Sequence, residues 1–216
     1  MKKQNQRNLS IATCLIAAFL LWTLIVRFVD VQAIGPMEST VGLATINRFI
    51  HNLTGVNMTL YNITDWLGLV PLLFVSVFGF LGLIQWIKRK HLLKVDYSIL
   101  ILGGFYIVVM AMYLLFEEVV INYRPVLING YPEASYPSST TMLVLCVIPT
   151  AIMQLNTRIK NDIFRRIVAF ILIVFIIFMV LGRFVSGVHW SSDIIGGALL
   201  SAGLVLMYRA VVRLKN

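Results

Sequence analysis

Charge is what this sequence has least of. Only 12% of its 216 residues are Asp, Glu, Lys or Arg, while 59% are hydrophobic. A soluble domain of this length carries about 25% charged residues to build a polar exterior. The shortage excludes a water-exposed globule and makes the chain an integral membrane protein. Cysteine is equally sparse. Cys14 and Cys146 fall in separate apolar runs, which excludes a disulfide framework or a zinc pattern and leaves both as small core residues. Also missing are the short alternating strands of a membrane barrel, internal repeats, low-complexity tracts and linkers. The chain therefore reads as one domain over residues 1–216, and the fold class as all-α.

What the sequence has is long apolar runs. A spanning helix needs about 20 such residues, and six runs qualify: about 9–29, 64–87, 97–117, 138–156, 164–185 and 190–211. The first is long and no small-residue cleavage site follows it, so it reads as an uncleaved span rather than a signal peptide. The basic residues are unevenly placed. Of 18 Lys and Arg, 14 lie before span one, between spans two and three, between spans four and five, or at the carboxyl end. Basic loops stay in the cytoplasm, so both termini are expected inside. The basic excess then meets anionic headgroups rather than nucleic acid.

This topology leaves residues 30–63, 118–137 and 186–189 outside. Within the first, "VGLATINRFIHNL" predicts a short helix packed as a cap over the spans. His51 and His91 have no matching catalytic partners and read as structural.

Two polar clusters remain, and ionisable groups at membrane depth are costly and usually functional. "GRFVSGVHWSSD" places Arg183, His189 and Asp193 within residues 182–193. Gly187 breaks the regular structure, and Ser191 or Ser192 is expected to cap the next helix. His189 and Asp193, four apart, are expected to share a face, with the carboxylate fixing one ring nitrogen and freeing the other to attack. "FEEVVINYRPVLINGYPEASYPSSTT" supplies Arg124, held extended by Pro125, whose guanidinium fork suits phosphate oxygens. It also supplies Ser138, Ser139 and Thr140 at the start of span four, where free backbone N–H groups favour an anion.

At these residues the chain resembles the type 2 phosphatidic acid phosphatase family, six-span membrane enzymes with the motifs K-x6-R-P, P-S-G-H and S-R-x5-H-x3-D. The third reads Gly182-Arg183-x5-His189-x3-Asp193. The first survives as Arg124-Pro125, with Glu117 at the lysine position. The second reads Pro137-Ser138-Ser139-Thr140, with Thr140 at the histidine position. The resemblance implies that His189 carries a phosphohistidine and Asp193 orients it. It implies that Arg124, Arg183, Ser138, Ser139 and Thr140 hold the phosphoryl group, and that no metal or cofactor takes part. The substrates it implies are lipid phosphates or diphosphates, such as phosphatidate, phosphatidylglycerol phosphate or a polyprenyl diphosphate. The basic-loop topology places the expected site at the outer face, and the compact form of the chain makes a bacterial plasma membrane the expected location.

Both departures bear on chemistry. Thr140 is too weak an acid for the missing histidine's role, typically worth about 10²–10⁴-fold in rate. Three consequences are open. One is an enzyme serving a good leaving group, as in a diphosphate; another is an enzyme using Glu117, Glu118 or Glu133 as replacement acid; the last is a non-catalytic carrier, sensor or scaffold that only binds a lipid phosphate. Headgroup choice and oligomeric state are not encoded legibly.

Overall fold

The computed structural model describes residues 2–214; Lys215, counted above among the basic residues, lies outside them. The helices are α1 (Lys2–Phe28), α2 (Ala44–Thr54), α3 (Met58–Leu67), α4 (Leu69–Arg89), α5 (Tyr97–Glu118), α6 (Ser139–Arg158), α7 (Asp162–Val185) and α8 (Ser191–Val212). With α3 and α4 taken together, six helical segments among the described residues are long and apolar enough to cross a membrane. A helix satisfies its own backbone polar groups, which hydrocarbon cannot do for it. The six expected spans correspond to these segments, and the expected cap is α2.

The second span differs at its start. It begins at Met58 rather than near residue 64, because the Asn57 side chain accepts a hydrogen bond from Leu60 N–H at 2.9 Å and caps the helix early. That added length brings Tyr61 to the site described below, one turn before Asp65 on the same helix.

Helices α6 and α8 form the centre. Just over half of each one's most apolar window is buried, 56%, against 11–22% for the other four spans. Small residues let them approach closely: Ser201 Oγ donates to the Met142 carbonyl at 3.3 Å. Helix α1 runs antiparallel beside α8, with Trp22 Nε1 donating to the Ser192 carbonyl at 3.0 Å. Its buried face is Ala12, Phe19 and Val26, seven apart and hence on one side. Cys14 lies two residues on from Ala12, about 200° round at 3.6 residues per turn. It is exposed, contrary to the core position expected of it, whereas Cys146 is buried.

The cap over α8 is specific. Asn47 of α2 accepts from Ser191 Oγ at 2.8 Å and donates to Ser192 Oγ at 2.9 Å. The two serines therefore do not cap α8 as expected. That place is taken by Asp193, whose carboxylate accepts the Trp190 N–H at 3.0 Å.

The turn from α7 to α8 passes through Gly187 at φ +65°, where an added β-carbon would sit 1.8 Å from the Gly55 carbonyl. An L side chain is strained there by about 1–2 kcal/mol before any clash. Gly187→Ala is therefore expected to lower the thermal unfolding midpoint in detergent. Gly79→Ala, with open space around its added carbon, should leave the midpoint level or raise it. Equal midpoints for wild type and Gly187→Ala would contradict this packing.

Candidate active site

The site is assembled where the starts of α3, α6 and α8 meet the end of α7 and the loop joining α5 to α6. That loop is pinned as a short hairpin by the Tyr123–Ala134 bridge, and Arg124 N–H donates to the Glu133 carbonyl at 3.0 Å. Arg183, in the last turn of α7, is fully enclosed. Its Nη2 donates to Asp65 Oδ1 at 2.7 Å and to Thr140 Oγ1 at 2.5 Å. Both guanidiniums lie over one aromatic ring: the Cζ atoms of Arg183 and Arg124 are 4.7 and 5.6 Å from the Tyr61 centroid. Such contacts hold cations by the ring's quadrupole without occupying their N–H donors.

Asp193 and His189 are not in direct contact. Ser135 stands between them. Its Oγ lies 2.5 Å from Asp193 Oδ2, to which it donates, and 3.1 Å from His189 Nδ1, while its carbonyl oxygen is 3.2 Å from the same nitrogen. A carbonyl only accepts, so Nδ1 carries the ring proton and Nε2 holds a lone pair. Asp193 is fixed further by Asn122 Nδ2 at 3.2 Å and Ser192 Oγ at 3.3 Å. The direct carboxylate–imidazole bond expected from their spacing is therefore corrected to a serine-mediated one. The physical reason is that His189 precedes the first turn of α8, so the two do not share a helical face.

Unpartnered polar atoms concentrate here. Among the described residues nine buried side-chain polar atoms lack a hydrogen-bond partner, and five belong to this trio: Arg124 Nε and Nη1, Arg183 Nε and Nη1, and His189 Nε2. Buried polar groups are otherwise almost always satisfied. Arg124 Nε is 3.2 Å from Glu133 Oε2, but off the line of a hydrogen bond. A cleft of about 770 Å³ opens beside Arg124, with Tyr61, Asp65, Glu117, Ser139 and Thr140 also in its lining; Arg183, which bonds Asp65 and Thr140, and His189 are buried and do not line it themselves. Two guanidiniums, a free imidazole nitrogen and the first amides of α6 make a cradle for a tetrahedral oxyanion.

A profile of the PAP2 superfamily matches residues 72–216. The chain belongs to the PAP2 superfamily. Its fold is similar to that of a transmembrane PAP2-type phosphatidylglycerolphosphate phosphatase from Bacillus subtilis, with a TM-score of 0.64 and 17% identity over 95% of this chain and 97% of that one. No curated protein matches it.

The other residues singled out in the sequence divide. Ser139 and Thr140 line the cleft with Glu117 and Glu133. Ser138 turns inward instead: its N–H donates to the Asp193 carbonyl at 3.1 Å and its Oγ accepts from Thr141 at 3.0 Å. Glu118 is exposed and is not among the residues lining the cleft. Glu117 is exposed as well, so no apolar wall surrounds it. His51 packs against Trp190, ring centroids 5.3 Å apart, and His91 caps a turn through Leu93 N–H at 3.2 Å; both are structural. Reading the sequence missed Ser135, Asn122, Tyr61 and Asp65. The PAP2 serine before Arg183 is glycine here, and a β-carbon at Gly182 would stand 2.7 Å from Thr64 Cγ2, so the smaller residue belongs with the packing of α3.

Burial, then the positive charges of Arg124 and Arg183, hold the His189 pKa well below its usual 6.5. The unfolded chain takes up this proton near pH 6.5 and the folded chain does not, so His189 makes stability fall as pH drops below that value. With three histidines in the chain, NMR titration of ring-labelled protein can follow each. His189 should remain neutral with its proton on Nδ1 at pH 6, and Arg124→Gln should raise its pKa. A wild-type ring that titrates at 6.5 or above would contradict the geometry.

Proposed function

We propose that the protein is a lipid phosphate or diphosphate phosphohydrolase that works through a phosphohistidine on His189. The observation carrying this reading is the buried, unpartnered Nε2 whose lone pair is fixed by the Nδ1 contacts to Ser135. A protein that only binds phosphate has no need of an imidazole oriented in this way. Nε2 attacks phosphorus, the N–P bond forms as the bond to the leaving oxygen breaks, and Arg124 and Arg183 balance the charge on the remaining oxygens. Water then attacks phosphorus, releasing inorganic phosphate and restoring Nε2. Asp193 acts through Ser135 as a positioning group.

The leaving oxygen needs a proton or must leave well without one. Of the three glutamates considered, Glu117 and Glu133 line the cleft and are the stronger candidates for donor over Glu118. A diphosphate, whose leaving group is itself a phosphate, needs the acid least. The cleft lies at the opposite end of the bundle from the basic loops, and by the positive-inside rule this supports an outer-face site with both termini cytoplasmic. We assign it to a bacterial plasma membrane. The second reading, a non-hydrolytic binder of lipid phosphates, draws support from Thr140 at the acid position and from Asp65 already engaging Arg183.

Phosphate release by purified protein from a polyprenyl diphosphate, phosphatidate and phosphatidylglycerol phosphate tests both readings. Release is expected to be fastest from the diphosphate and to vanish in His189→Ala; release that survives this change rules out His189 as nucleophile, and binding without release supports the second reading. Ser135→Ala should lower kcat about 10–100-fold, the size typical of groups that orient a metal-bound histidine from behind, with KM little changed. In pH–rate profiles, Glu117→Gln or Glu133→Gln should remove the alkaline limb; three unchanged profiles, Glu118→Gln included, would eliminate a carboxylic acid donor.

A further inference from the structure

A second concavity lies toward the other end of the bundle. Helices α4 and α5 touch where a β-carbon on Gly82 would meet Ile99 Cγ2 at 3.1 Å, while Gly79, Gly103 and Gly104 have nothing within 4 Å of the place a β-carbon would take. Between the helices runs an apolar groove of about 610 Å³, with buried Phe78 and Leu102 in its lining and Trp86 and Leu92 at one end. It extends from Val75 to Trp86 on α4 and from Ile99 to Met110 on α5. Each stretch is about 16 Å long at 1.5 Å per residue, roughly half of a ~30 Å hydrocarbon core. The groove is one leaflet deep.

Its polar end is the turn joining α4 to α5. There Lys88, Lys90 and Lys94 are exposed. Arg89 is paired with Asp96 at 2.9 Å, but no ion pair among the described residues involves the three lysines. We propose that this groove is a non-catalytic binding site for an anionic phospholipid of the leaflet on the basic side, one acyl chain lying along the glycines and the headgroup phosphate among the three lysines.

Depth and charge together select this occupant. A helix from a second copy would need a seam through both leaflets, and a two-fold contact here would set like lysines against each other. A lipid rooted in one leaflet fits the length, and a net negative headgroup answers the unpaired ammonium groups. Binding here does not depend on whether the cleft at the other end hydrolyses anything.

Native mass spectrometry of detergent-purified protein, offered equimolar phosphatidylglycerol and phosphatidylcholine, tests the proposal. Wild type should retain the anionic lipid at least tenfold over the zwitterionic one. Lys88→Gln/Lys90→Gln/Lys94→Gln should bring the ratio close to one. Gly103→Leu, which fills the groove from α5, should lose both adducts, and Gly79→Leu on the facing helix should do the same should the first variant fold poorly. The adduct should persist in Arg124→Gln, which separates this site from the cleft. No anionic preference in wild type, adducts unchanged by the glycine variants, adducts lost in Arg124→Gln, or a dimer that Gly103→Leu dissociates would each overturn the assignment.

Discussion

The side chain and carbonyl of Ser135 connect an aspartate in the first turn of α8 to a histidine that lies just before that helix begins. The hydroxyl donates to Asp193, and the carbonyl receives the Nδ1 proton of His189. Every other feature of the site depends on this pair of contacts, because they decide which ring nitrogen is left without a proton. They also join segments far apart along the chain: both ends of the loop between α5 and α6, through Asn122 and Ser135, the turn before α8, and, through Asn47, the helix that caps the bundle. A buried polar network of this kind is costly if any member is missing, so the site and the packing of the helix starts are one structure.

Around the imidazole, the protein keeps two guanidiniums close together at membrane depth. Like charges there repel, and burial alone makes each expensive. Tyr61 and Asp65 offset this from α3: the ring lies near both cations, and the carboxylate pairs with Arg183. On the proposed reading an arriving phosphate competes with Asp65 for Arg183, yet it also finds four guanidinium nitrogens with no hydrogen-bond partner, one of them ion-paired with Glu133. Thr140, at the position where PAP2 relatives carry an acid by the resemblance above, spends its hydroxyl as an acceptor for Arg183. That contact helps to place the cation, and the O–H that remains is too weak an acid to protonate a leaving group.

Much of this was legible in the sequence. Six spans follow from hydropathy because lipid demands apolar length and little else. Arg183, His189 and Asp193 stood out because ionisable residues between two spans are rare. Arg124 and Thr140 followed from their place beside a proline and a helix start. What stayed hidden depends on facing and on distant pairing. Ser135 is one hydroxyl in a run rich in them, and nothing local marks it as the link between residues more than fifty positions away. Tyr61 looked like loop because the cap at Asn57, which lengthens the second span, is visible only once the helix is built, and Asp65 fell inside the expected span with nothing nearby in sequence to mark Arg183 as its partner. Cys14 was misjudged because an apolar run does not say which side of it meets the bundle. Glu118 sits one residue from Glu117 yet falls outside the cleft, a difference of a single helical step.

The central claim is that His189 Nε2 and the two guanidiniums address one phosphorus atom. A structure of the protein with vanadate, which takes the five-coordinate geometry of phosphoryl transfer, measures this most directly. Vanadium bonded to His189 Nε2, with equatorial oxygens held by Arg124 and Arg183, is the predicted result. Vanadate bound in the cleft with Nε2 out of bonding reach, or bound to the arginines unchanged in His189→Ala, would contradict it.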